Sequence, residues 1–233
     1  MTKSLLIEVD GVDGAGKTSF IKCLDSWLKS PIIDAPIKTK IIRTVGFDEE
    51  SNLIRNVYVN SVPDESKKYL MCYFHTKVNS VIKEYMDYGS IVIQDRGLGS
   101  FYVNNLKTYN QEHAVELLNL LHNSKDKIKP DIYIYVSARH DILRERIIKR
   151  LTENNNNNSN DLDSIALCHI AEMKFNYESY ISKYFPNNTE PSNVIGVVVS
   201  ENKDFIRVLN NGNIDDLNNI AKDVCDIILQ KIK

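Results

Sequence analysis

Neither sign of charge prevails in this chain of 233 residues: 29 lysines and arginines face 31 aspartates and glutamates, for a formal charge of −2. A nucleic-acid partner held by non-specific electrostatics is therefore not expected. Cysteine is sparse, and Cys23, Cys72, Cys168 and Cys225 stand apart, with no C-x-x-C pair and no histidine at metal spacing. That scatter predicts reduced, buried thiols rather than disulfides or a zinc site. No apolar run approaches membrane-spanning length, and the first apolar run begins almost at once, leaving no room for a signal peptide. A cytoplasmic protein without a membrane partner is expected. Glycine is scarce too, nine in all, yet three of the nine fall within one stretch of eight residues.

That stretch follows the apolar run Leu5, Leu6, Ile7 and Val9 and reads Gly11-Val12-Asp13-Gly14-Ala15-Gly16-Lys17-Thr18. Phe20, Ile21 and Leu24 then recur at helical spacing, so the order is strand, loop, helix. The pattern G-x-x-x-x-G-K-[ST] is a phosphate-binding loop. Its glycines let successive backbone N–H groups turn inward around phosphate oxygens, and the helix N-terminus behind them adds positive potential. Gly11, Gly14, Ala15, Gly16, Lys17, Thr18 and Ser19 are the expected nucleotide contacts. Lys17 is expected to reach the outer phosphates from the solvent side of the loop, and Thr18 to ligate Mg²⁺. The bland alternative, a glycine-rich turn with a surface lysine, does not explain why the whole pattern sits between a strand and an amphipathic helix.

Further along, Lys40 to Val45 reads as a second strand running into Gly46, and Glu50 to Val59 as a helix before Pro63. Ser66 to Tyr88 traces a long helix closed by Gly89. Ile91-Val92-Ile93 is an apolar strand ending in Asp95-Arg96-Gly97, and Ala114 to Leu121 a helix. Asp131 to Val136 is a buried strand, followed by a basic helix from Asp141 to Leu151. Ala166 to Tyr184 is helical, Val194 to Val199 strand-like, and Ile214 to Ile232 a closing helix. The alternation predicts an α/β phosphate-loop NTPase fold: a five-stranded parallel sheet with helices on both faces and the ligand at the strands' carboxyl ends. One domain over 1–233 is expected. The polar tract Asn154 to Asn158, with Ser159 and Asn160, predicts a mobile loop inside a lid around 146–165.

The stretch IEVDGVDGAGKT resembles the opening of thymidylate kinases, which reads much like I-x-F-E-G-I-D-G-A-G-K-T. The resemblance continues through Arg43-x-x-Gly46, similar to their R-E-P-G-G-T turn, and through VIKEYMDYGSIVIQDRGLGS, similar to their helix, strand and D-R-Y-x-x-S segment. It reaches KPDIYIYV and the Arg146 to Arg150 pair, similar to their P-D-L-x-x-Y-L-D-V strand and R-x-x-x-R motif. It covers roughly Leu5 to Arg150.

This resemblance implies transfer of the γ-phosphoryl group of ATP, with Mg²⁺, to a (deoxy)nucleoside monophosphate, dTMP first among them. It implies a homodimer as well. Asp13 would hold the acceptor's sugar 3′-hydroxyl, although an acid here can also form a loop-stabilising Asx turn. Arg43 and Arg96 would hold the acceptor phosphate, with Ser100 beside them, and Asp95 would lie near Mg²⁺ or its water shell. The phosphate loop has no arginine of its own, so Arg146 and Arg150 would supply the catalytic guanidinium beside Lys17 and Arg96. They are equally readable as solvated charges on one helix face. The family's D-R-I-E segment is replaced by Asp161-Leu162-Asp163-Ser164, which lacks the arginine. At the base end, His75 and Met71 stand near the family's base-reading arginine and aromatic ring, Asn104 and Asn105 replace an aromatic and a glutamine, and Gly97 replaces a tyrosine. His75 reads equally well as a core histidine.

Two other readings remain. A deoxynucleoside kinase would need a carboxylate base near the end of the second strand, where the chain has Arg43 and Thr44, with acids only from Asp48 to Glu50. A degenerate nucleotide-binding protein with little turnover is left open by the thin lid. A GTP switch would need N-K-x-D, which Asn202-Lys203-Asp204-Phe205 does not supply.

Overall fold

A computed structural model describes residues 3–31, 37–44, 46, 48–53, 64–108, 111–123, 128–153, 166–185, 196–199 and 204–232. The strands are β1 (Leu5–Gly11), β2 (Thr39–Arg43), β3 (Ile91–Asp95), β4 (Ile132–Ser137), β5 (Gly196–Val199) and β6 (Phe205–Leu209). The helices are α1 (Lys17–Leu28), α2 (Asp64–Asp87), α3 (Leu98–Thr108), α4 (Gln111–His122), α5 (His140–Glu153), α6 (Ile170–Tyr184) and α7 (Ile214–Ile232). The Asn154 to Asn158 tract, Asp161 to Ser164 and most of the expected helix from Glu50 to Val59 lie outside the described residues. Among those described, no helix is long and apolar enough to cross a membrane.

The sheet corrects the expected strand count. Among the described residues it holds six strands in the order β2-β3-β1-β4-β6-β5, not five. The strand read at Val194 to Val199 is the edge strand β5 and runs antiparallel to β6, while Phe205 to Leu209 is the parallel neighbour of β4. Burial explains the ranking: Phe205, Ile206 and Val208 are buried, whereas all four residues of β5 are half-buried. The run with the larger apolar side chains takes the inner position. The helix expected over Ala166 to Tyr184 breaks at His169, and α3 is an additional helix immediately after β3.

β1 is central and buried along its whole length. Because side chains alternate across a strand, Leu5, Ile7 and Val9 share one face and join the large core with Phe20 and Leu24 of α1 and Val224 and Ile228 of α7. Leu6 joins a smaller core with Ile42, Val92 and Val78 and Ile82 of α2. Glu8 and Asp10 share the face of Leu6, so the central strand carries two acids into a buried layer. All inter-strand pairings of β2, β3, β1, β4 and β6 are parallel, which brings the ends of β1, β2 and β3 to one edge.

Candidate functional site

The chain leaves β1 at Gly11 and turns through Gly14 and Gly16, whose φ values of 84° and 87° lie in the left-handed region that side chains disfavour. Ala15 donates its amide to Val12 O at 3.1 Å, and α1 opens with Phe20 N on Gly16 O at 2.9 Å. α1 begins directly behind this loop, so its positive end backs the turn. The local geometry is that of a cradle for phosphate oxygens.

Lys17 is not on the solvent side, which corrects the expectation. It is 7% exposed, and its ammonium donates to Gly11 O at 2.8 Å and Val12 O at 2.9 Å. Burial lowers its pKa to about 8, the positive charge of Arg96 adds to the effect, and Asp13 opposes it. Asp13 Oδ1 lies 3.7 Å from Lys17 Nζ and accepts from Arg96 Nη2 at 2.8 Å. Burial, the largest single influence, opposes the charge of Arg96, but Asp13, Tyr177 and Asp95 together outweigh it and raise the guanidinium's pKa above its ordinary value. One acid of the loop is thus flanked by two cations from different elements.

Arg96 has a φ of 70°, alone among the described non-glycine residues in being positive. Its backbone is held on both sides: its amide donates to Val9 O at 3.0 Å, and its carbonyl accepts from the Thr44 hydroxyl. Asp95, the last residue of β3, is buried, and it sits opposite Arg43 in the register. Arg43 itself is exposed at the end of β2, and Thr18 and Ser19 are exposed at the start of α1.

The structure places Ser100 inside the protein rather than on a surface. It is buried, its hydroxyl donates to Asp10, and its Oγ lies 2.9 Å from the Tyr177 hydroxyl. His75 on α2 is 4% exposed and meets the ring of Phe101 edge-on at 5.1 Å. Asn104 is exposed on α3, while the side chains of Met71 and Asn105 lie outside the described residues.

On α5, Arg146 and Arg150 part company. Arg146 is half-buried and donates to Gly14 O at 3.4 Å, Asn210 O at 3.1 Å and Gly212 O at 2.8 Å. Burial lowers its pKa. Its guanidinium ties the phosphate loop to the turn after β6. Arg150 is exposed in the last turn of the helix.

Sequence reasoning missed Asn210, which is 2% exposed and donates its amide to Ala15 O at 2.7 Å. It also missed Glu8 and Asp10, which interrupt the apolar run of β1. The available signal was their spacing: two acids at i and i+2 on a strand buried on both faces must find buried donors.

Comparison with known proteins gives a family. The family model described as thymidylate kinase matches residues 9–190. The chain is 26% identical over 220 residues to a thymidylate kinase of Clostridium novyi, covering 89% of this chain and all of that protein. It is 31% identical over 151 residues to a probable thymidylate kinase of Thermoplasma volcanium, covering 63% of this chain and 73% of that one. In fold it is similar to the crystal structure of thymidylate kinase from Ehrlichia chaffeensis, with a TM-score of 0.62, 16% identity and coverage of 97% and 98% of the two chains.

Proposed function

We propose, from the premise that this chain belongs to the thymidylate kinase family, that it is a nucleoside monophosphate kinase that moves the γ-phosphoryl group of ATP to dTMP. The observation that carries the reading is the Arg96–Asp13 contact at 2.8 Å, with Lys17 buried beside it. It joins the phosphate loop to the end of β3, the two places from which donor and acceptor phosphates would be gripped. An acceptor phosphate is already anionic, so the work left to the protein is positioning, charge neutralisation and exclusion of water.

The left-handed glycines and the α1 N-terminus fit the phosphates of a nucleotide, with Gly11, Gly14, Ala15, Gly16, Thr18 and Ser19 lining the loop. Thr18 and Asp95 fit a hard cation's preference for oxygen ligands and would hold Mg²⁺, which supplies neutralising charge to the phosphates. Lys17 would leave its loop carbonyls for phosphate oxygens. Arg96 and Arg43 would hold the acceptor phosphate, Asp13 the sugar hydroxyl, and His75 and Asn104 the base side. Arg146 orders the loop from behind, so that of the pair Arg146 and Arg150 it is Arg150 that would serve the transferring group. We treat 1–233 as one working domain with a lid around 146–165, assembled as a homodimer in the cytoplasm without nucleic-acid or membrane partners. Light scattering on the purified chain tests the dimer.

Asp48 and Glu50, the acids a nucleoside kinase would need as base, lie toward Lys77 at 3.6 and 2.7 Å. The Ser51 amide holds Asp48 below the usual carboxylate range, which makes it a weaker base. A coupled ADP-release assay with dTMP, dUMP, dGMP, UMP and thymidine tests the reading. Turnover of a monophosphate is expected, dTMP best. Turnover of thymidine alone would replace it with nucleoside phosphorylation, and ADP release with none of them would leave a nucleotide-binding protein.

A further inference from the structure

α3 starts without a cap of its own, because Gly97, just before Leu98, has no side chain to offer. A helix start leaves several backbone N–H groups without partners. Here they are met from β1. Glu8 Oε1 accepts from Leu98 N at 2.8 Å, Asp10 Oδ1 from Gly97 N at 3.1 Å, and Asp10 Oδ2 from Ser100 N at 3.2 Å. Asp10 also accepts from the Ser100 hydroxyl, and from the Tyr133 hydroxyl at 3.3 Å. Asp10 is fully buried and Glu8 is 1% exposed. Two carboxylates at a helix N-terminus are favoured by its dipole. Burial and the charge of Asp10 push the Tyr133 hydroxyl's pKa well above 10, so that hydroxyl stays a donor. Gly97 is forced by the same arrangement: a Cβ there would fall 1.9 Å from Glu8 Cδ.

The residue immediately before this capped turn is Arg96, held at a φ of 70°. A left-handed conformation is unfavourable for an L-residue and persists only where its surroundings fix it. Val9 O and the Thr44 hydroxyl fix Arg96 itself, and Asp10 fixes the peptide that follows. We infer that Asp10, with Glu8 beside it, is a positioning residue: it fixes the backbone turn that aims the Arg96 guanidinium at the acceptor phosphate. The inference rests on the proposed role of Arg96.

The test is calorimetric binding of dTMP and of a non-hydrolysable ATP analogue to the wild-type chain, Asp10→Asn, Arg96→Lys and the double variant, with thermal melts alongside. Asp10→Asn puts an N–H donor where an acceptor is needed. It is expected to weaken dTMP by about tenfold or more, the effect of one lost charge-assisted hydrogen bond, and to leave the ATP analogue within about twofold. The double variant is expected to lie within about twofold of Arg96→Lys, because the two residues act through one group. Should Asp10→Asn fail to fold, Tyr133→Phe removes a single donor to Asp10 from the core and is expected to weaken dTMP alone, by about threefold. The inference is overturned if Asp10→Asn spares dTMP, if it weakens both ligands alike, if its effect adds fully to that of Arg96→Lys, or if Tyr133→Phe, used in its place, spares dTMP. A wild-type chain that binds no monophosphate overturns the function with it, whereas an impaired Arg96→Lys beside an intact Asp10→Asn overturns this inference alone.

Discussion

At the phosphate end, Lys17, Asp13 and Arg96 are held by backbone carbonyls and by one another, whereas at the end proposed for the base His75 packs on the ring of Phe101 and Asn104 stands exposed. The first end is built from groups whose geometry the backbone dictates. The second is built from side-chain packing, which tolerates replacement as long as volume is kept. This is why the phosphate end keeps a recognisable pattern in the sequence while the base end departs from it. The same contrast predicts that substitutions at the first end cost orders of magnitude and those at the second only small factors.

The largest effect is expected at Lys17. Lys17→Ala should lower turnover by about 10²- to 10³-fold, the scale of losing one aimed donor in a dry site. Its melting point should move little, since removal strands two carbonyls but also spares the fold a buried charge. The lowered pKa gives a second readout. In the folded chain Lys17 loses its proton near pH 8, while the unfolded lysine keeps it to 10.5, so the unfolded state binds more protons in between and stability rises with pH across that window. Phosphate oxygens pull the other way and raise the pKa again. ATP binding above pH 8 should therefore take up a proton, read by calorimetry in buffers of different ionisation enthalpy, and Lys17→Ala should show none. Proton uptake unchanged by the substitution would remove Lys17 from the phosphates.

Arg96→Lys comes next. It keeps the charge but loses the fork, and should weaken dTMP by about 1.5–3 kcal/mol while ATP affinity barely moves. If ATP weakens and dTMP is spared, Arg96 belongs to the other substrate.

Arg146 and Arg150 sharpen the contrast within one helix. Arg146→Ala should cost about 1.5–3 kcal/mol of stability through three lost carbonyl contacts, measured by denaturant unfolding. Arg150→Ala should leave stability intact and lower kcat by about tenfold, less than a buried donor because the side chain is exposed. A chain in which both substitutions act on stability alone would return both residues to the scaffold.

Much of this was legible from residues close in sequence. The run from Leu5 to Thr18 announces strand, loop and helix because its periodicity and its glycines are local, and the closing helix Ile214–Ile232 falls where its apolar spacing put it. Asp95-Arg96 at a strand end was legible for the same reason. What could not be read joins distant segments. β6 outranks β5 through its pairing with β4, some 70 residues earlier along the chain. The acids of β1 meet amides 87 to 90 residues away. Lys17 looked exposed because nothing in its neighbours reveals that the loop's own carbonyls capture it.

The smallest effect is expected at His75. The ring lies edge-on to Phe101, an arrangement worth about 0.5–1.5 kcal/mol beyond the area it buries, so His75→Asn should lower stability by that order whatever its other duties. Stability alone therefore does not separate packing from recognition. The ratio of dTMP to dUMP use does, because the two acceptors differ by one methyl group and share every phosphate and sugar contact. One methylene in a pocket is worth about 1–3 kcal/mol at most, and a half-formed contact less, so the ratio should change by about threefold with KM for ATP unmoved. An unchanged ratio beside the lowered melting point would make His75 a core residue and pass the reading of the base to α3, where Asn104 is the next side chain to replace.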